Sequence, residues 1–214
     1  MSEIEIVKII ATILALVVAI VGHEIMHGWV AYKYGDNTAK SQGRLSINPI
    51  VHVDPVGTIV VPALLYFSGA PFLFGWAKPV PVYMPTVLRN GGTNGAIAVA
   101  LAGITYNFAL AIILATILPL FTQPSSMVEA FFAYFLIQGV ILNVLLGVFN
   151  LLPVPPLDGA NAVRYLFAGW GVRSVVKFYD KIYPYGMIFI VIILMTPLKD
   201  ILFAPVQYII NLII

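Results

Sequence analysis

The residues of this chain whose types and spacing best suit chemistry are two histidines and a glutamate, in the string Gly22-His23-Glu24-Ile25-Met26-His27-Gly28. On an α-helix His23 and His27 fall one turn apart on the same side, so both imidazoles reach one divalent cation. Glu24 is rotated by about 100° from His23, which sets its carboxylate beside a water on that cation and not on the cation itself. This is the H-E-x-x-H arrangement of zinc hydrolases. The competing reading is three polar side chains satisfied inside a core. Their surroundings argue against it: residues 9–31 are otherwise apolar, and a charged side chain in a lipid-spanning helix costs about 2.5–3.5 kcal/mol. An ionisable group at that depth is a functional candidate by default.

The elements that must hold this motif are membrane helices. Of 214 residues, 61% are hydrophobic and 9% charged, the balance of a multi-spanning chain. The length suits one membrane-embedded domain over 1–214, with a core at 6–159 and, over 160–214, an amphipathic stretch followed by an apolar hairpin. A net charge of +2 excludes nucleic acid as a partner, and the absence of cysteine excludes disulfides, thiolate ligands and cysteine nucleophiles. Residues 6–34, 94–121 and 128–152 are each long enough to span. Glu3 and Glu5 at the start of the first, with no cleavage site, mark a retained helix and not a signal peptide. Residues 56–74 are apolar but interrupted by Gly57, Pro62, Gly69 and Pro71, which favours a re-entrant piece. Residues 75–83 alternate with prolines and favour extended backbone. The tail, 182–214, divides at Pro197, Lys199 and Asp200 into two short pieces. The expected fold is therefore an all-α polytopic membrane protein, a helical bundle with a three-helix catalytic core plus a re-entrant or extended segment.

Topology narrows the search for a third ligand. Lys33, Lys40 and Arg44 follow the first span, and Arg164, Arg173, Lys177 and Lys181 follow the third, whereas residues 122–127 hold no lysine or arginine. Positive charge marks the cytoplasmic side, so the histidine end of the first span and the region after Pro153 meet at that face. A catalytic zinc takes three protein ligands. The candidates are His52, Asp36, Asp54, Glu129, Asp158 and Asp180. Glu129 starts the third span at the opposite face. Asp36 and Asp54 sit in polar sequence, where a solvated charge is the cheaper state, and Asp180 sits among lysines. Asp158 follows Asn150-Leu151-Leu152-Pro153-Val154-Pro155-Pro156-Leu157, apolar yet unable to form continuous helix, and such backbone is tolerated at membrane depth only when buried or facing a watery cavity. The competing role for Asp158 is the N-cap of a helix starting near Ala160.

With these residues in hand, the chain resembles the site-2 protease family of zinc intramembrane proteases. That family pairs the H-E-x-x-H helix with an L-D-G element, here Leu157-Asp158-Gly159. Three further stretches match in order: Asn48-Pro49-Ile50-Val51-His52-Val53-Asp54-Pro55-Val56-Gly57, then Phe74-Gly75-Trp76-Ala77-Lys78-Pro79-Val80-Pro81-Val82, then Asn150-Leu151-Leu152-Pro153-Val154-Pro155. Ile104 after Ala102-Gly103, Ala160-Asn161 after L-D-G, and Met84 before Pro85 depart from the family pattern and touch packing and substrate contacts. No PDZ-like or CBS-like region is present, so the likeness is to the minimal, core-only branch. The resemblance implies one Zn2+ per chain on His23, His27 and Asp158, with Glu24 as general base. It implies a transmembrane protein substrate cut within or near its membrane segment, as in regulated intramembrane proteolysis. The lipid bilayer of the cell membrane is the medium, the active site lies toward the cytoplasm, and a homo-oligomer is compatible with this.

Secondary roles follow. Asn150 is a candidate for substrate backbone or the developing oxyanion, with a polar helix terminus as its plainer reading. Asn107 is a second candidate, or else, like Asn143, an interhelical hydrogen-bonder. His52 lines the site entrance or is a loop histidine. Residues 76–82 offer a strand edge to an unwound substrate or are a proline-rich loop. A metal or proton transporter also uses intramembrane histidines and acids, but spreads polar groups across membrane depth, and here they crowd near one face. A zinc prenyl-protein protease is set aside because its resemblance implies a glutamate ligand that the later spans lack, and aspartyl and serine intramembrane proteases need a residue order that this chain lacks.

Overall fold

A computed structural model describes residues 2–69 and 75–214. The first helix, α1 (Glu3–Lys33), starts with a reciprocal cap: the Ser2 backbone N–H donates to Glu5 at 2.7 Å and the Ser2 hydroxyl accepts from the Glu5 N–H. A single turn, α2 (Thr38–Ser41), follows. A 3-10 turn (Pro49–His52) and a π turn (Pro55–Val60) lead into α3 (Val61–Phe67). Pro55–Phe67 is apolar but too short to cross a bilayer of about 30 Å; the rest of the expected re-entrant stretch, residues 70–74, lies outside the described residues. Residues 75–83 carry no helix, as the prolines require. Then come α4 (Met84–Ile117), α5 (Met127–Leu151), α6 (Asp158–Gly169), α7 (Arg173–Ile182), α8 (Gly186–Met195) and α9 (Leu198–Ile213).

Two boundaries differ from expectation. The second span is preceded by a helical piece from Met84, opened by Pro85 in its first turn, and the two pieces are separated at Gly92, whose backbone is not helical (φ 59°, ψ −157°), just before the expected start at 94. The tail does break at Thr196-Pro197 into α8 and α9. However, α7 runs almost directly into α8, so Arg173–Met195 joins Glu3–Lys33, Met84–Phe121 and Met127–Leu151 as a fourth helix, among the described residues, long and apolar enough to span.

Helices α1, α4 and α5 pack against one another, and α6 packs on α4. Lipid tails are as apolar as leucine, so helix association there depends on close backbone approach and polar contacts. The buried positions fit that rule. Ala11, Ala15 and Ala19 are buried at a four-residue spacing, and His23 takes the next place in the series. The face that packs α1 into the bundle is thus the face that carries the first imidazole. Ala96, Ala100 and Gly103 on α4, with Gly139 and Gly147 on α5, supply the small residues opposite. Ile6, Ile9, Ile10 and Ile13 stay exposed on the outer side of α1, as a lipid-facing surface needs. Near its other end, Lys33 lies 4.8 Å from the Trp29 ring and Lys40 lies 4.5 Å from that of Tyr32, an aromatic and cationic belt of the interfacial kind.

Candidate metal centre

His23, His27 and Asp158 meet. Nε2 of His23 lies 3.0 Å from Asp158 Oδ2, Nε2 of His27 lies 3.2 Å from the same oxygen, and the two nitrogens are 3.1 Å apart. They are the cluster of histidine and acid side chains that can hold a metal among the described residues. Ligand atoms around a tetrahedral zinc, with bonds of about 2.0–2.1 Å, stand about 3.3 Å apart, close to the triangle seen here.

The donor chemistry fits a cation more firmly than the distances do. His27 Nδ1 contacts the Val99 carbonyl at 2.7 Å, and His23 Nδ1 contacts Asn107 Oδ1 at 2.6 Å. Both partners accept, so both Nδ1 atoms donate, and in the neutral form of each ring Nε2 presents a lone pair. Two lone pairs and a carboxylate then face one point, which is repulsive until a cation sits among them. Nitrogen and oxygen donors of this type suit zinc.

Each ligand is placed by local chain chemistry. Asp158 is the first residue of α6, and its carboxylate turns to the histidines; the cap position is Leu157, which makes no side-chain cap bond. The N-cap role is therefore not the one Asp158 takes. Gly159 permits this start, since a Cβ there would lie 2.2 Å from the Leu151 carbonyl, and no other residue lets α6 fold back so tightly on the end of α5. Gly103 serves His23 similarly: a Cβ there would sit 2.5 Å from the imidazole.

Glu24 stands beside the cluster without joining it. Its Oε2 accepts the Val80 backbone N–H at 2.8 Å, and its other oxygen makes no hydrogen bond to the described residues. Val80 belongs to an extended run held along one edge. Trp76 N–H donates to the Gly57 carbonyl (3.1 Å) and Lys78 N–H to the His52 carbonyl (2.9 Å). Arg44 donates to the Lys78 carbonyl (2.8 Å), and Tyr83 N–H donates to Asp36 Oδ2 (2.6 Å). Trp76, Lys78 and Val80 thus bond toward one side at alternate positions, as in a strand, and Tyr83 bonds from the other parity where the run ends.

Several expectations need correction or refinement. Asp36 is buried, not solvated: Thr38 and Tyr83 donate to it and tie the end of α1 to the extended run. Asp54 caps the π turn through the N–H groups of Val56 and Gly57. Glu129 is at the start of α5, a helix length from Asp158. His52 is buried in its turn, with Nε2 donating to the Ser46 carbonyl at 2.8 Å, and it does not line the cavity over the ligands. Asn107 contacts His23 and does not line the cavity. Asn150 does line the cavity, while its Nδ2 donates to the Leu146 carbonyl at 3.1 Å. Sequence reasoning missed the contact of Val80 with Glu24 and that of Val99 with His27, because backbone groups carry no residue-type signal.

The cavity has a volume of about 990 Å3 and runs from His23, Glu24 and Asp158 past Trp76 to Arg164 and Asp180. Those last two are paired at 2.7 Å, from Arg164 Nε to Asp180 Oδ1.

Comparisons with known proteins point to zinc metalloproteases. The model of peptidase family M50 matches residues 121–194. The chain is 37% identical to the putative zinc metalloprotease YwhC of Bacillus subtilis over 197 residues, which cover 90% of this chain and 84% of that protein. It is 27% identical to the putative zinc metalloprotease Rip2 of Mycolicibacterium smegmatis, over 87% of this chain and 67% of that one. It is 32% identical to the putative zinc metalloprotease MJ0611 of Methanocaldococcus jannaschii, over 76% and 74%. No solved structure matches.

Proposed function

The chain belongs to peptidase family M50, the site-2 protease family, and from that premise we propose that it hydrolyses a peptide bond within or beside a transmembrane segment of a membrane-protein substrate. It is a zinc metalloprotease and a multi-pass membrane protein. The observation that carries the proposal is the meeting of two bare imidazole nitrogens and a carboxylate, with Glu24 alongside, in a cavity walled by spanning helices.

His23, His27 and Asp158 are the residues that hold the ion. When bound, zinc supplies a Lewis acid that polarises the scissile carbonyl and lowers the pKa of the attacking water. Glu24 takes that water's proton on its free oxygen while Val80 N–H holds the other, and it then delivers the proton to the leaving amide nitrogen. The extended backbone at Ala77, on the side away from Gly57 and His52, is the edge offered to an unwound substrate segment, and Pro79 and Pro81, which have no N–H, limit the donors on that side. Asn150, in the cavity wall with its Nδ2 held by the Leu146 carbonyl, is placed to hold substrate backbone. The α1 end that carries the site faces the cytoplasm of the cell membrane, by the distribution of lysine and arginine.

Comparative proteomics of membrane fragments tests this reading. Cells carrying the wild type accumulate fragments cut inside or beside a membrane span, and cells carrying Glu24→Gln lack them. Identical fragment sets in the two strains contradict it.

A further inference from the structure

We propose that Asn143, which touches no metal ligand, is a positioning residue for the metal centre: acting through Asn107, it locks the His23 imidazole in the tautomer that leaves Nε2 bare. The proposal rests on the reading of His23, His27 and Asp158 as zinc ligands.

Both amides lie at the centre of the bundle, Asn107 0% and Asn143 1% exposed, so water does not satisfy them and each hydrogen must find a protein acceptor. Their hydrogen bonds form a chain with a direction. It begins at the Gly139 carbonyl, which only accepts, and to which Asn143 Nδ2 donates at 2.7 Å. That turns Asn143 Oδ1 the other way, where it accepts from Asn107 Nδ2 at 2.8 Å. The second hydrogen of the same Nδ2 goes to the Ala19 carbonyl at 3.2 Å. With both amide hydrogens used, Asn107 presents Oδ1 to His23 Nδ1 at 2.6 Å. An amide oxygen cannot donate, so the proton in that contact is on Nδ1 and the lone pair is on Nε2.

The opposite orientation of Asn107 shows what the chain prevents. Its NH2 group would then face Nδ1, and the imidazole would carry its hydrogen on Nε2, aimed at the place a cation must occupy. That orientation turns Oδ1 against two acceptors, the Ala19 carbonyl and Asn143 Oδ1. Removing Asn143 halves the penalty. His27 needs no such device, because its Nδ1 partner is the Val99 carbonyl, which has one role. A partner one step behind a metal ligand, as Asn107 is here, is worth about 10–100-fold in metal affinity, and that bounds what Asn143 contributes through it.

The test is the zinc dissociation constant of the purified full chain in detergent, by competition with a chromophoric chelator, with helicity recorded for each variant. Asn143→Leu is expected to weaken zinc binding up to about 10-fold, the lower end of the range for a partner one step behind a ligand. Adding Asn107→Asp to that variant restores much of the affinity, because a carboxylate offers an accepting oxygen to Nδ1 either way up. Unchanged affinity in Asn143→Leu, or a loss that Asn107→Asp leaves untouched, overturns the proposal. If Asn143→Leu loses helicity, Asn143→Ser against Asn143→Ala decides it: tighter binding with serine supports the relay, and equal affinity overturns it. His23→Ala separates the two levels. Zinc affinity unaffected by His23→Ala contradicts the metal reading itself, whereas zinc lost in His23→Ala but kept in Asn143→Leu contradicts the amide relay alone.

Discussion

The backbone N–H of Val80 holds Glu24 Oε2 at 2.8 Å, from 56 positions away in sequence. The group assigned to move the proton is therefore oriented by the same extended run that faces the cavity. Val80→Pro removes this donor in a stretch whose backbone already suits proline, and Val80→Ala keeps it. A hydrogen bond to a charged group contributes about 1.5–3 kcal/mol. Proline at 80 is expected to lower the cleavage rate roughly 10- to 100-fold with zinc content unchanged, and alanine much less. Equal rates in the two variants would show that the contact does not orient Glu24.

Asp36 holds the other end of that run through Tyr83. Burial raises its pKa, but donation from the Thr38 hydroxyl and N–H and from the Tyr83 N–H lowers it further, so the carboxyl lies below its ordinary value of 3.8. A carboxyl depressed in the folded state stabilises the fold above its unfolded pKa and loses that contribution as pH falls through the folded one. Asp36→Asn is thus expected to lower the thermal midpoint at pH 7, with the gap to wild type closing below about pH 4. A gap that stays constant with pH contradicts the assigned role.

Gly103 lies against the His23 ring with no room for a methyl group. Gly103→Ala must displace either the imidazole or α4, at a cost of about 1–3 kcal/mol for overpacking. The expected result is weakened zinc binding in protein that remains helical, read by chelator competition. Wild-type affinity in this variant would mean that α4 does not set the ring's place.

Much of this was legible in the sequence, for a physical reason. His23, Glu24 and His27 share one helix, so their spacing alone fixes their relative directions. Asp158 was reachable because three prolines and a topological count left few other acids on the right face. Asp36 was misread because its neighbours in sequence are polar, while the donor that buries it, Tyr83, arrives from far along the chain. The extended backbone of residues 75–83 was readable from its prolines, but not its register on Glu24, which depends on where Gly57, His52 and Arg44 hold it. Asn107 and Asn143 were recognisable as polar groups between helices; the direction of their hydrogen bonds is set by carbonyls, which all residues share.

Orientation in the membrane has its own test. The chain has no cysteine, and Ser41, Ser125 and Ser174 are all exposed. Single cysteines at these positions, treated in intact cells or spheroplasts with a membrane-impermeant thiol reagent, are expected to label from outside only at Ser125→Cys. Labelling of Ser174→Cys without Ser41→Cys would set the two halves of the site on opposite faces, contrary to the meeting of His27 with Asp158.

The most direct measurement is the mass of the products formed when the zinc-loaded protein, reconstituted in vesicles, meets a membrane-spanning test helix weakened by glycine and asparagine. Cleavage at a bond within or beside the spanning segment is predicted for the wild type, abolished by chelation and restored by zinc, and absent in Glu24→Gln that retains its zinc. Cleavage by Glu24→Gln at the wild-type rate would contradict the account.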